Sequence, residues 1–310
     1  MLGSDYPKED AAARLERLAS DRISTGLIAH PLSQYAKICP SKHFVTSVID
    51  SGCGSTWRLT PTSQQEESQE EIVFTIHGII LHCELPPILR PFGRSASPRH
   101  IKQRLLLAGF NTDTFTTALI GLDRIDDLLR LNIREDVPHK LNTQASGQQA
   151  IEISNRYFTS KRMAITEEQI EIPTYVDPKG ILESIKGENL VHTTENQVEY
   201  YQRVTNSNGV HRFINTNPAR IHEGDIVEVQ FTITLVEPNM SRQNDSKLAF
   251  TTKPILRSIT LLDNSFSEIY RNLSINRPRR PCLKRKVGHA EEESTETQER
   301  LKRMVIDTEK

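Results

Sequence analysis

The segment IVEVQFTITLV, residues 226–236, decides the fold class because apolar and polar side chains alternate along it. Alternation at period two is typical of a strand with one buried face. The turn Glu223-Gly224-Asp225 precedes it, and Asn206-Ser207-Asn208-Gly209 predicts a hairpin between two further strands, since Asn and Gly accept positive φ at little cost. The outer strands of such a sheet expose unpaired backbone groups, so they must be paired or covered. We therefore expect residues 170–266 to close into a small antiparallel β barrel or a sandwich.

Upstream, residues 93–168 predict a small helical bundle. Leu105–Phe110 reads as one short helix, and Phe115, Leu119 and Leu122 indicate a second. Ile125–Leu131 indicates a third, and residues 151–165 could add one more. The run Ala108-Gly109-Phe110, followed by Asp126–Leu131 and Arg134–Val137, resembles sterile-alpha-motif bundles, and that resemblance implies the same small helical fold.

The remaining segments flank these two parts. Glu9–Ile23 predicts an N-terminal helix, and His43–Ile49 with Thr56–Leu59 predicts a hairpin. A β-branched strand runs over Ile72–Leu81 and ends before Pro86-Pro87. The prediction is an α+β chain with five parts: an N-terminal helix and loop (1–40), a β-rich segment (41–92), the helical bundle (93–168), the antiparallel β domain (170–266) and a disordered basic–acidic tail (267–310).

Composition narrows the class of protein. The chain has 310 residues, of which 36% are hydrophobic, and 39 Lys plus Arg against 40 Asp plus Glu give a formal charge of −1. This balance excludes a uniformly basic nucleic-acid coat, a collagen-like fibre and a fully disordered acidic chain. The four cysteines form no C-x-x-C pair, and neither a signal peptide nor an apolar run long enough for a membrane helix is found. We expect a soluble, intracellular protein without a membrane partner.

Four blocks in the C-terminal part carry a resemblance to a known set of proteins. They are Leu190–Thr193, Val198–Tyr201, Glu223–Gln230 and Leu256–Asp263. Together with the basic and acidic tail, they resemble a large family of uncharacterised proteins from basidiomycete fungi. The resemblance covers roughly two fifths of the chain. It implies a fungal origin and domain boundaries but no activity, because none is known for that family.

The tail holds a basic cluster without an acid among its members: Arg277, Arg279, Arg280, Lys284, Arg285 and Lys286. An exposed cluster of this kind suits the groove of a nuclear import receptor or a phosphate backbone. Glutamates between residues 291 and 299 then reverse the charge, which weakens a sequence-independent DNA contact more than a short import signal. We predict a nuclear localisation signal; the alternatives are a nucleic-acid contact and a merely solvated tail.

The β domain offers a second candidate surface. Tyr201 and Arg203 share one face of their strand by parity, and His211 and Phe213 form a similar pair on the next strand. Aromatic rings and cations on one face can bind single-stranded nucleic acid. Aromatic residues in strands are more often packing residues, and four nearby acids oppose a polyanion: Glu199, Glu223, Asp225 and Glu228. Binding of a protein at an exposed edge is the alternative.

No sequence motif or residue spacing indicates a catalytic site or a metal site. His77 and His82 face opposite sides of a strand, and Cys83 lies too far along it to share an ion with His77. No G-x-S-x-G, H-E-x-x-H, Walker A or G-x-G-x-x-G motif occurs. We expect no cofactor, metal site or catalytic residue. The leading hypothesis is a non-catalytic nuclear binding or scaffold protein with a protein partner; the alternatives are a single-stranded nucleic-acid-binding protein and an enzyme with an unfamiliar site.

Overall fold

The structure is a computed structural model in which two parts of the chain form separate compact units, Met1–Asn272 and Leu273–Lys310. The contacts and sites described below all lie in the first unit. The residues that the structure describes are 2–3, 5–50, 55–62, 70–93, 97–131, 141–145, 147–165, 167–206, 209–237, 250–275 and 299–300.

Strands outnumber helices in these ranges. The helices are α1 (Lys8–Ser24), α2 (Asp113–Arg130), α3 (Ile181–Lys186) and α4 (Ser265–Ile275). The strands are β1 (Phe44–Asp50), β2 (Ser55–Pro61), β3 (Phe74–Glu84), β4 (Lys102–Ala108), β5 (Asn142–Ala145), β6 (Gln148–Arg156), β7 (Thr159–Ser160), β8 (Leu190–Val191), β9 (Glu199–Thr205), β10 (His211–Asn215), β11 (Ile226–Val236) and β12 (Thr251–Asp263).

One 10-stranded sheet organises the first unit, in the order β1-β2-β11-β3-β4-β6-β12-β9-β10 with β5 paired to β6. β11 also pairs with β12, so the pairings from β11 through β3, β4, β6 and β12 return to β11. The step between β6 and β12 is a single residue pair, Ile255 with Ser154. The sheet is therefore strongly interconnected without being a clear barrel.

The two long helices pack on different sets of side chains. Phe115, Leu119, Leu122 and Ile125 of α2 join the main core with the odd-numbered residues of β11, among them Val229. Leu15 and Leu18 of α1 pack instead on Ile79, Ile226 and Leu262. Successive side chains of a strand point to opposite faces. Ile226, which contacts α1, and Val229, which lies in the core with α2, therefore place the two helices on different sides of β11.

The predicted helical bundle over residues 93–168 is wrong. The expected helix Leu105–Phe110 is strand β4, and residues 148–156 form strand β6 rather than a further helix. β4 pairs with β3 on one side and β6 on the other, so its apolar run is that of an interior strand. The resemblance to sterile-alpha-motif bundles fails for the same reason.

The two helices expected around residues 115–131 are one continuous helix, α2. Gly121 lies within it instead of ending it. A Cβ at this position would lie 2.0 Å from the carbonyl oxygen of Leu32, in the short 3-10 helix Leu32–Ala36. Gly121 is therefore required by close packing, and the break expected between Leu122 and Ile125 is absent.

Several predicted elements are confirmed: the N-terminal helix, the β1–β2 and β9–β10 hairpins, and strands β3, β11 and β12. The expectation of a separate C-terminal barrel or sandwich is corrected, because β2 and β3 pair directly with β11. The segments on both sides of the predicted boundaries at residues 93 and 170 therefore contribute strands to the same sheet. The boundary expected at residue 267 lies within α4 (Ser265–Ile275), so the chain is still helical there.

Candidate nucleic-acid interface

The β9–β10 hairpin places all four predicted contact residues on one face. Its register sets Phe213 directly opposite Arg203, His211 opposite Thr205, and Asn215 opposite Tyr201. Directly opposed residues of an antiparallel pair point to the same face. The two pairs predicted separately from sequence thus form one surface, called here the hairpin face: Tyr201, Arg203, His211 and Phe213.

The hairpin face is open at its outer side. Within the described residues, β10 pairs with β9 alone, and all five of its residues are exposed. The Phe213 side chain is 42% exposed, whereas Tyr201 and Arg203 are half-buried. An exposed aromatic ring beside a half-buried cation offers both a stacking platform and a charge.

Arg203 is the cation at the centre of this face. Burial lowers the pKa of its guanidinium, as do the nearby cations Arg14 and Arg22, while the carboxylates of Asp263 and Asp21 raise it. Arg14 donates to Asp263 at 2.8 Å, and Arg22 is bound to Glu228. In the part of the chain that the structure describes, no hydrogen bond or salt bridge reaches the Arg203 guanidinium. Its N–H donors are thus open to an anion from outside, although Asp263 and Asp21 offset part of its charge.

Arg22 links the hairpin face to a buried polar cluster. Its guanidinium lies 4.7 Å from the centre of the Phe213 ring, a cation–π contact. The same group donates to Glu228 from Nε at 2.7 Å and from Nη2 at 2.9 Å. His77 Nε2 lies 3.0 Å from the same carboxylate. Burial would raise the pKa of Glu228, but the bonds from His77 and Arg22 outweigh it and lower that pKa to about 2.

Three of the four acids expected to oppose a polyanion are occupied elsewhere. Glu223 accepts from His82 Nδ1 at 2.7 Å, and Glu228 is neutralised as described. Asp225 is fully buried, where it accepts from Ser267 Oγ and from the backbone N–H of His222. Burial raises the pKa of Asp225 to about 6.

Glu199 is the fourth acid and stays exposed beside the hairpin face. It accepts a hydrogen bond from the Tyr201 hydroxyl, and that bond raises the pKa of Tyr201 to about 12. One ring face of Phe213 is used for packing against Arg22. The hairpin face is therefore mixed: one unpaired guanidinium, two aromatic rings and one acid at the margin.

The other predicted sites do not converge. The basic cluster of Arg277, Arg279, Arg280, Lys284, Arg285 and Lys286 lies outside the described residues. Within the described ranges, no three His, Cys, Asp or Glu side chains gather around a point that could hold a metal ion. His77 and His82 bind different carboxylates. Their predicted opposite directions are wrong, because a register shift in β3 between Ile80 and His82 returns His82 to the face of Ile79 and His77. A search of the described helices finds none with the length and apolar character needed to cross a membrane.

Sequence reasoning missed the contribution of α1 to this surface. Arg14 and Arg22 lie far from Arg203 in the chain, and the sheet must form before they meet. Their spacing on α1 gives no signal of this meeting, because charged residues cover the outer side of most amphipathic helices.

Comparisons with known proteins give little. No family model and no curated protein matches the chain. A solved structure that it resembles is the single-stranded DNA-binding protein gp2.5 of bacteriophage T7, at 11% sequence identity and a TM-score of 0.33. The match covers 69% of this chain and 99% of the phage protein. At that score the likeness carries no argument about this chain.

Proposed function

We propose that the chain is a non-catalytic binding protein that takes single-stranded nucleic acid on the hairpin face. The observation that supports this is the Arg203 guanidinium, which forms no hydrogen bond or salt bridge among the described residues and lies directly opposite the exposed Phe213 ring. The two features together offer a phosphate contact and a base platform on one surface.

The chemistry of single strands fits this arrangement. Such strands are bound by cations along the backbone and by aromatic rings under the bases, and each stacked base contributes ~1–3 kcal/mol. On the hairpin face, Arg203 would contact a phosphate, while Phe213 and Tyr201 would contact bases. His211 lies at the outer end of the face, where its Nδ1 is 2.9 Å from Thr205 Oγ1. Because a single guanidinium carries most of the charge, we expect weak affinity and little sequence preference.

Fluorescence anisotropy of a labelled oligo(dT) strand tests the proposal. Arg203→Gln should weaken binding about tenfold and flatten the salt dependence, since each lost phosphate contact removes ~0.7 from the slope of log K against log salt. Phe213→Ala should weaken binding by at least ~5-fold. The matched control is Arg212→Gln, because Arg212 is exposed on the opposite face of β10. Absent binding at low salt, or equal losses for Arg203→Gln and Arg212→Gln, would overturn the proposal.

A protein partner at the β10 edge is a second candidate. The observation that favours it is the edge itself: β10 has one neighbouring strand in the described residues, with Phe213 and Ile214 exposed on its two faces. Extended peptides add to such edges through backbone hydrogen bonds. The bonds from Asn206 N–H to Val210 O and from Thr216 N–H to Tyr200 O show that the even-numbered residues of β10 bond to β9, so its odd-numbered N–H groups face the open edge. Asn215→Pro removes one outward donor and should abolish binding of such a partner; retained binding would exclude strand addition here.

Nuclear location stays a prediction that depends on the basic cluster at residues 277–286. Its import receptor would bind the extended chain through those side chains. Deletion of residues 277–286 from a fluorescent fusion should abolish nuclear accumulation, and an unchanged nuclear signal would contradict it.

A further inference from the structure

A second group of cations lies on the sheet at a distance from the hairpin face. Lys102 of β4 is directly opposite Arg156 of β6, so the two side chains leave the same face. Ser154, on that face of β6, pairs with Ile255 of β12, and Lys253 shares the parity of Ile255. The members, called here the outer cation group, are Arg99, Lys102, Arg156 and Lys253.

The charges of the outer cation group act on one another. Burial lowers the pKa of Lys253, and the charges of Arg156 and Lys102 lower it as well. Partial burial and the charge of Arg99 lower the pKa of Arg156. The group therefore holds like charges that repel each other, and an anion placed among them would relieve this repulsion.

The acid beside the group is already engaged. Lys102 donates to Glu152 at 2.5 Å. Arg104 Nη1 lies 3.7 Å from the same carboxylate, and Arg104 Nη2 donates to Glu84 at 2.6 Å. Three cations of the group form no hydrogen bond or salt bridge within the ranges that the structure describes: Arg99, Arg156 and Lys253. Their charges are not matched by a bound carboxylate.

The chemistry of the surface limits the partner. Arg99 and Arg156 are exposed and Lys253 is half-buried, so an anion reaches them from solvent. Guanidinium groups bind phosphate oxygens through two parallel N–H donors. A single small anion gains little on such a surface, because exposed ion pairs are individually weak. A polymer with a phosphate in every unit contacts all three cations at once and releases the counterions that it held.

We propose that the outer cation group binds the phosphate backbone of a nucleic acid and does not read its bases. Arg99, Arg156 and Lys253 each contact a phosphate, and Lys102 stays with Glu152. The inference rests on the proposed function for the class of partner, but it uses none of the residues of the hairpin face. Since backbone phosphates carry no sequence information, single and double strands both bind here, whereas stacking on an aromatic ring needs an unpaired base.

The outer cation group and the hairpin face lie on the same side of β12. Lys253 pairs with Thr234 and Thr260 pairs with Glu228, and the even-numbered residues of β11 share one face. A bulge in β12 between these pairs keeps Lys253 and Thr260 on that face. Thr260 is level with Tyr201 of the hairpin face. About 20 Å separates Lys253 from Thr260 along the strand, so a long nucleic acid reaches both surfaces, and a substitution at one leaves the other intact.

Fluorescence anisotropy of the full chain with a labelled mixed-sequence DNA duplex tests the inference. Each phosphate contact adds ~0.9 to the slope of log K against log salt, so three contacts predict a slope of about −2.7. The double substitution Arg156→Gln with Lys253→Gln should flatten the slope by ~1.8 and weaken binding about tenfold at low salt. The matched control, Lys42→Gln with Arg212→Gln, removes two exposed charges elsewhere and should change affinity by less than ~2-fold.

Three results would overturn the inference: no duplex binding at low salt, equal salt slopes for the double variant and the unsubstituted protein, or equal losses for the double variant and its control. The slope of the unsubstituted protein needs no variant, and thermal unfolding checks that the double variant folds. Anionic vesicles that lose binding in the double variant, while DNA binding is unchanged, would assign the group to a membrane surface instead.

The same titrations separate this inference from the proposed function. Arg203→Gln should weaken oligo(dT) and leave the duplex unchanged. An effect of Arg203→Gln on oligo(dT) without any duplex binding refutes the outer cation group alone. Duplex binding that the double variant loses, together with oligo(dT) binding that ignores Arg203→Gln, refutes the hairpin face alone.

Discussion

Glu228→Gln is the substitution for which the structure gives the sharpest magnitude. The carboxylate is 4% exposed and accepts from both Arg22 and His77, and its pKa lies at about 2 instead of 4.5. At ~1.4 kcal/mol per pH unit, that difference corresponds to ~3 kcal/mol of stability at pH 7. A carboxyl whose pKa is lowered by folding stabilises the folded state at pH values above its ordinary pKa. This contribution is lost as the pH falls toward the lowered pKa. Gln keeps the shape and removes the charge.

Urea unfolding at pH 7, 5, 4 and 3 measures the difference between the two proteins. The variant should be less stable by about 3 kcal/mol at pH 7, and the difference should shrink to ~1 kcal/mol at pH 3, where protonation has removed most of the contribution of Glu228. Glu199→Gln is the control, because Glu199 is exposed beside the same sheet face; we expect a change within ~0.5 kcal/mol. A difference for Glu228→Gln that stays constant from pH 7 to pH 3 would refute the reasoning.

Three further substitutions test other contacts. The pKa of Asp225 lies at about 6 instead of 3.8, so its buried charge is unfavourable above pH 6 and is removed as the pH falls. In thermal unfolding, the unsubstituted protein should gain up to ~3 kcal/mol of stability from pH 7 to pH 4, and Asp225→Asn should not. The same pH profile for both proteins would contradict this. Gly121→Ala places a Cβ 2.0 Å from the Leu32 carbonyl oxygen. Urea unfolding should show a destabilisation of ~3 kcal/mol from this clash, which a helix-propensity gain of ~1 kcal/mol offsets only in part. Equal or greater stability would show that α2 can move. Tyr6→Phe removes the 2.7 Å bond to the Gly224 carbonyl and should cost ~1 kcal/mol, with no loss if water replaces the hydroxyl.

Local periodicity predicted those elements whose two faces differ. β11 alternates because Glu228 and Gln230 point away from the main core while Val229 and Phe231 point into it. β4 has pairing strands on both sides and little polar face, and Leu and Ala favour helices intrinsically, so its apolar run read as a helix. Only pairing across the chain distinguishes such a strand from a helix.

The candidate site shows the same limit. Parity within each strand predicted the pairs Tyr201 with Arg203 and His211 with Phe213, and the hairpin register joined them. The surroundings of Arg203, and the binding of Glu228 by Arg22 and His77, depend on contacts between residues about 150–210 positions apart.

The position of β11 in the chain has a consequence for biosynthesis. This strand begins at Ile226, yet it is the neighbour of β3, which ends at Glu84. At ~5–20 residues per second, a ribosome needs roughly 7–30 s to travel between those two points. During that interval β3 and the apolar side of α2 have emerged without the strand that completes their core. The nascent polypeptide therefore exposes an unfinished sheet during this interval, and a slower ribosome in this stretch lengthens the exposure to aggregation.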